Sequence, residues 1–235
     1  MLIAAIRPNG YLRLIAAAAF ASLTVGAAAA DGTATGIARW ERPVPRGEAS
    51  AITALRAYSA CAAMAREAPS LLRATPGTAE EAALVRALTR GRKGCRPAGQ
   101  LRMQAYLLRG AIAEALYPVE AARRGLTLTA ASPVETVQVF SARLTAADPD
   151  GLDAVDRQIL AWRWMAYCAA YRDPAAAGLL LRTLPSGHEE LAALRVLQPA
   201  LEACLAPERW ADLRAVAIRA LIADALYRRL SDSPA

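Results

Sequence analysis

The sequence predicts an all-α fold made of two tandem copies of a disulfide-pinned unit of three or four helices, the two copies sharing a core. Three observations carry this reading. Leu71–Leu88 (LLRATPGTAEEAALVRAL) aligns without a gap on Leu180–Leu197 (LLRTLPSGHEELAALRVL), with nine of eighteen residues identical. Roughly two would match by chance in so Ala/Leu/Arg-rich a chain. The same offset of 109 places Cys95 on Cys204, and Cys61-Ala-Ala matches Cys168-Ala-Ala if the second copy gains two residues. One inserted residue later, Arg109–Tyr117 (RGAIAEALY) falls on Arg219–Tyr227 (RALIADALY).

Residues 1–30 read as a secretory signal. Arg7 and Arg13 are their only charges, an apolar stretch runs from Leu14 to Ala30, and Ala28-Ala29-Ala30 offers a cleavage site before Asp31. Every later apolar run is soon interrupted by Arg, Asp or Glu, so no stable membrane insertion is expected after cleavage. Loss of the two signal arginines takes the net charge from +7 to +5, and nearly all the basic charge is arginine, Lys93 being the single lysine. A periplasmic or secreted destination fits this segment, and nucleic acid is excluded as a partner because no aromatic-plus-basic stripe accompanies the charge.

Export also decides how the cysteines read. An even count at matching spacings in an oxidising compartment indicates disulfides, and the duplication selects Cys61–Cys95 and Cys168–Cys204 from the three possible pairings. Each bridge closes a loop for which chain entropy suggests roughly 3–4 kcal/mol. A redox role lacks its C-x-x-C motif, and a zinc site would have to draw four thiolates from distant segments.

Residues 31–47, rich in Gly and Pro, form an extended lead-in. Repeat 1 spans 48–118. It opens with a helix over Glu48–Arg66, and a capping box at Thr78–Glu81 starts the next. The last helix, about Gln100–Tyr117, carries the apolar stripe Leu108, Ile112 and Leu116 and should stop at Pro118. Residues 119–150 connect the copies, with an extended or looped Gly125–Ala131 and one more helix over Pro133–Leu144. Repeat 2, 151–230, repeats the pattern, with S-x-x-E spacing at Ser186–Glu189 and the stripe Ile218, Ile222 and Leu226; a short tail, 231–235, frays.

Chemistry is sparse. The single histidine, His188, stands at a helix start, which rules out multi-histidine metal sites. There is no G-x-S-x-G elbow, P-loop or G-x-G-x-x-G, and no cofactor is implied. The pairs Glu80-Glu81 and Glu189-Glu190 recur where a helix macrodipole favours negative charge. Arg109 and Tyr117, with Arg219 and Tyr227, recur on the last helices beside Glu114 and Asp224, and Arg73 and Arg182 recur as well. Such arginines hold helices in register by laying their stems over the core and pairing their heads with carboxylates. The competing assignment is a pair of equivalent sites for an anionic group or a partner helix. Trp162, Trp164 and Trp210 fill an alanine-rich core or anchor a partner. The basic run Arg86, Arg90, Arg92, Lys93 and Arg96 is matched in repeat 2 by Arg195 alone and reads as a solvated loop.

The order Cys, LLRxxPGxxxE, Cys-x-Pro and LRGAIAEALY resembles a group of small exported alphaproteobacterial proteins that carry this unit in tandem, a resemblance that implies export and duplication but no activity. Cys95-Arg96-Pro97, Gln100-Leu101 and Tyr106-Leu107 are also similar to a pattern of periplasmic immunity proteins that neutralise secreted cell-wall amidases. The duplication and the longer Cys204–Pro207 spacing depart from that pattern, so no inhibitory residue carries over. The sequence thus points to a non-catalytic periplasmic helical protein that binds another protein or an envelope component. An immunity-type inhibitor of a secreted toxin is the alternative, ahead of an enzyme of unfamiliar type.

Overall fold

The structure, a computed structural model, describes residues 40, 44–91, 95, 103–125, 127–130, 154–206, 209–210 and 213–233. The expected signal segment and the helix anticipated over Pro133–Leu144 lie outside them. Eight helices occur among the described residues: α1 (Arg46–Ala63), α2 (Ala68–Arg73), α3 (Ala79–Gly91), α4 (Ala105–Arg124), α5 (Ala154–Arg172), α6 (Pro174–Arg182), α7 (His188–Glu202) and α8 (Ala215–Asp232). No strand is found among these residues. The order α1–α4 recurs in α5–α8 in element type and sequence, which fits two tandem units. The described residues nevertheless all belong to one compact body rather than two.

The copies are joined through their last helices. α4 and α8 pack on each other more extensively than any other pair described, and Gly110 makes the approach possible. A Cβ at that position would lie 2.2 Å from the Ala220 carbonyl oxygen, closer than any side-chain atom tolerates. Only a residue without a Cβ lets the α8 backbone come so near. Gly110 and Ala220 occupy matching positions in the two copies, so the crossing lies where the repeated motif meets itself.

The core follows from that crossing. One apolar cluster gathers α5–α8 side chains, such as Met165, Leu180, Leu197 and Ile222, and also takes in Tyr106 of α4. The other gathers Leu71, Leu72, Leu108 and Ile112 from the first copy and also takes in Ala223 and Tyr227 of α8. Each last helix thus contributes to the opposite copy's core. Many of these side chains are alanines that bury little area apiece. Disulfides Cys61–Cys95 and Cys168–Cys204, with Cα atoms 5.5 and 5.8 Å apart, supplement that packing in each copy.

Three local expectations need correction. Pro118 does not end α4, which continues to Arg124 and stops with Gly125 at φ 60°. The turn after the proline is held by Glu120, whose carboxylate accepts from Arg123 and Arg124 at 2.6 and 2.7 Å, and by Arg124 Nη1 donating to the Ser233 carbonyl at 2.9 Å. These contacts offset the one backbone hydrogen bond that proline removes. α1 ends at Ala63 rather than Arg66, and Pro69 sits in the first turn of α2, where its missing N–H is harmless. The capping box is half formed. Thr78 Oγ1 accepts from the Glu81 N–H at 3.3 Å, but Glu81 Oε2 accepts from the Gly77 N–H at 2.6 Å instead of from that of Thr78. In the second copy the link runs from the Ser186 N–H to Glu190, at 2.7 Å, and not to Glu189. Gly77 (φ 80°) and Ser186 (φ 66°) both take up the left-handed conformation to aim that N–H.

Candidate functional site: two equivalent arginine–carboxylate centres, one closed and one open

The repeated motif explains itself once its hydrogen bonds are followed. α2 is six residues long, so its last carbonyls have no helical partner. Arg109, entering from α4, supplies one: Nη1 donates to the Leu71 carbonyl at 2.6 Å and Nη2 to that of Leu72 at 2.5 Å. The same Nη1 donates to Glu81 Oε1 at 3.2 Å, the carboxylate whose other oxygen holds the Gly77 turn. Nε donates across the helix crossing to Asp224 Oδ1 at 2.8 Å. One guanidinium therefore closes α2, fixes the start of α3 and ties α4 to α8, with a side chain that is 0% exposed.

Arg219 does the same in the second copy. Its donors reach the Leu180, Leu181 and Thr183 carbonyls at 2.8, 3.2 and 2.7 Å, and Glu190 Oε1 at 3.3 Å. Nε and Nη2 form a two-pronged pair with Glu114, at 3.0 and 2.9 Å. The exchange is reciprocal: Arg109 takes the acid of the second copy and Arg219 the acid of the first.

A second arginine stands at each centre. Five residues before the first cysteine of each copy lie Arg56 and Arg163, equivalent by the offset that aligns Cys61 with Cys168. Arg163, on α5, lies 3.6 Å from both Glu81 and Asp224, and Arg228 approaches Asp224 at 3.5 Å while donating to the Ala74 carbonyl at 2.6 Å. At this centre three guanidiniums face two carboxylates. Burial, aided by the neighbouring Arg109 charge, draws the Arg163 pKa down despite the Asp224 and Glu81 charges. Arg109 is also penalised by burial, but Asp224 and Glu81 outweigh this and hold its pKa up. Tyr167, which senses the same Asp224, is pushed well above the usual phenol value by burial first and that carboxylate second.

The other centre is looser. Arg56 reaches Glu114 only at 4.0 Å, and its side chain is 46% exposed against 6% for Arg163. Burial raises the Glu190 pKa against the pull of the Ser186 N–H and Arg219. A shallow cleft lined by Leu55, Arg56, Leu107, Glu114, Val216 and Arg219 opens over this centre. A second cleft adjoins it at Ile52 and Val216 and runs past Glu190 towards Trp40 and Arg214. Arg214 is paired there with Glu48 at 2.8 Å.

The sequence-derived candidates distribute unevenly over this geometry. Arg109 and Arg219 form the centres, but inside the core rather than beside it. Tyr117 and Tyr227 are not among their hydrogen-bond partners. Tyr117 packs partly buried against both apolar clusters and Tyr227 is buried in one, each phenol pKa raised chiefly by that burial. Arg73 and Arg182 point outward and hold no centre together. Glu81 and Glu190, read as partners of a helix dipole, are buried ligands of the arginines, whereas Glu80 and Glu189 are exposed. Trp210 is buried, Trp162 and Trp164 are half-buried, and His188 is exposed at the start of α7.

Among the described residues no group of three or more His, Cys, Asp or Glu could hold a metal ion, and no helix is long and apolar enough to cross a membrane. No protein-family model, curated protein or solved structure matches the chain.

Proposed function

We propose that this chain is a non-catalytic, exported helical protein that binds another protein or an envelope component at the cleft over Arg56 and Glu114. The observation that carries the proposal is the inequality of two equivalent centres. Around Arg109 the charged groups are enclosed and serve the fold; around Arg219 the corresponding groups border an accessible apolar cleft. The acids and bases of both centres are spent on one another and on helix ends rather than converging on a cavity, which favours recognition over turnover. Two disulfides suit an oxidising compartment, in keeping with the signal-like N-terminus and a periplasmic or secreted location.

Photo-cross-linking in the native compartment tests this. A photoreactive residue replacing Leu107 in the cleft should give a discrete adduct, and one replacing the exposed Val196 of α7 should not. No adduct from position 107, or equal adducts from both positions, would sink the proposal.

A further inference from the structure

We infer that Trp40 is a detachable plug, docked beside the open centre and withdrawn from it without unfolding of the body. The inference stands whether or not the neighbouring cleft over Arg56 receives a partner. It starts from where the ring lies. Trp40 stands six residues ahead of α1, yet its side chain is 3% exposed and belongs to the apolar cluster of the second copy. It lines the cleft beside Glu190 together with Ile52 of α1, Ser186 of the α6–α7 turn, and Ala215 and Val216 of α8. The half-buried Glu48 and Arg214, paired at 2.8 Å, border the same cleft.

The closed centre shows what a ring built into the framework looks like. The offset that equates Arg109 with Arg219 equates Tyr106 with Val216. Tyr106 is the second residue of α4, so its ring comes fixed to a helix, and it meets Trp162 edge to face with centroids 6.5 Å apart. At the open centre α8 offers only Val216, and the ring that lines the cleft with it belongs to Trp40, outside every helix of the second copy. Hydrogen bonding marks the same difference. The Trp210 indole N–H donates to the Leu205 carbonyl at 3.0 Å and that of Trp162 to the Arg209 carbonyl at 2.9 Å. Trp40 Nε1 is buried with no acceptor among the described residues. Burying a donor in this way forfeits a hydrogen bond to water, which is regained when the ring withdraws. Packing and a hydrogen bond hold Trp210, whereas packing alone holds Trp40. The space that withdrawal leaves is indole-shaped, because an indole fills it, and Ile52, Ser186, Glu190 and Val216 border it.

The test is hydrogen exchange at the indole N–H groups of the purified full chain, resolved by NMR. Trp40 should exchange about a hundredfold faster than Trp210 or more, at a rate that low urea leaves unchanged, while Trp210 follows global unfolding. Exchange of Trp40 at the Trp210 rate, or with the same urea dependence, would make it framework and overturn the inference. Added indole supplies a second reading. It should move the Trp40 N–H signal towards that of a solvated indole, with saturable shifts at residues 52, 186, 215 and 216. Trp40→Ala should stay folded and bind indole at those residues roughly tenfold more tightly, having no ring to displace. An unfolded Trp40→Ala, indole binding elsewhere, or no gain in affinity overturns the inference as well.

Discussion

At the scale of single residues, Arg109 concentrates the most interactions. Replacing it with methionine keeps the stem's bulk but takes the hydrogen-bonded arginine from Glu81 and Asp224, leaving them the longer contacts to Arg163 and Arg228, and leaves the Leu71 and Leu72 carbonyls without their donor. Breaking a buried pair in this way costs about 3–5 kcal/mol. Arg219→Met should cost less, because Glu114 is partly exposed and water can take over its charge, whereas Asp224 is buried. Urea unfolding of the two variants would check the order, and equal losses would contradict the closed-versus-open distinction. The sequence marks both arginines as recurring residues that pair with carboxylates, but lays their stems over the core rather than inside it. The error is physical: a guanidinium can enter a core when helix-end carbonyls and two carboxylates await it, and Asp224 is 115 residues away in the chain. The Arg56–Arg163 equivalence was legible in the alignment around the cysteines. Their unequal exposure was not, because it depends on which aromatic residues surround each one.

At the scale of elements, the helices were readable from apolar spacing and punctuation, and the exceptions are instructive. Pro118 marks a stop by local rules, yet α4 gains two further turns because Glu120, Arg123 and Arg124 pair within them and Arg124 reaches the end of α8. The Glu120 carboxyl is pulled down from an ordinary value of 4.5 to about 2 by hydrogen bonds from Arg123 and Arg124. A carboxyl whose pKa is depressed by folding stabilises the folded state above its unfolded value and loses that contribution as the pH falls through the folded one. Between pH 4.5 and 2 the native chain should therefore lose stability more steeply than Glu120→Gln. Thermal unfolding of both across that interval would show it, and parallel curves would mean the pair adds nothing. The half-formed capping boxes belong here too. The spacing of Thr78 and Glu81 was legible, but the left-handed Gly77 and Ser186, which redirect the carboxylates, become visible only in the backbone.

At the scale of the whole molecule, a shared core is what short, alanine-rich helices that bury little area apiece require, and the α4–α8 crossing is how the core is shared. Gly110→Ala tests that crossing directly. The added methyl would meet the Ala220 carbonyl and push the helices apart, stretching the Arg109–Asp224 and Arg219–Glu114 pairs together. Overpacking of this kind costs about 1–3 kcal/mol, and here two ion pairs weaken with it, so a loss at the upper end or beyond is expected. A calorimetric melt would measure it, and an unchanged midpoint would mean that the copies do not depend on this contact.

The same crossing bears on how the molecule could come to be lopsided. Two identical halves meeting about a twofold axis must present two identical centres, so any residue that seals one seals the other. Joining the halves in one polypeptide lifts that constraint. Position 162 can hold a tryptophan while position 55 keeps a leucine, and position 106 a tyrosine while 216 keeps a valine. Fusion thereby allows one centre to become internal framework while its twin stays free to acquire a specificity of its own.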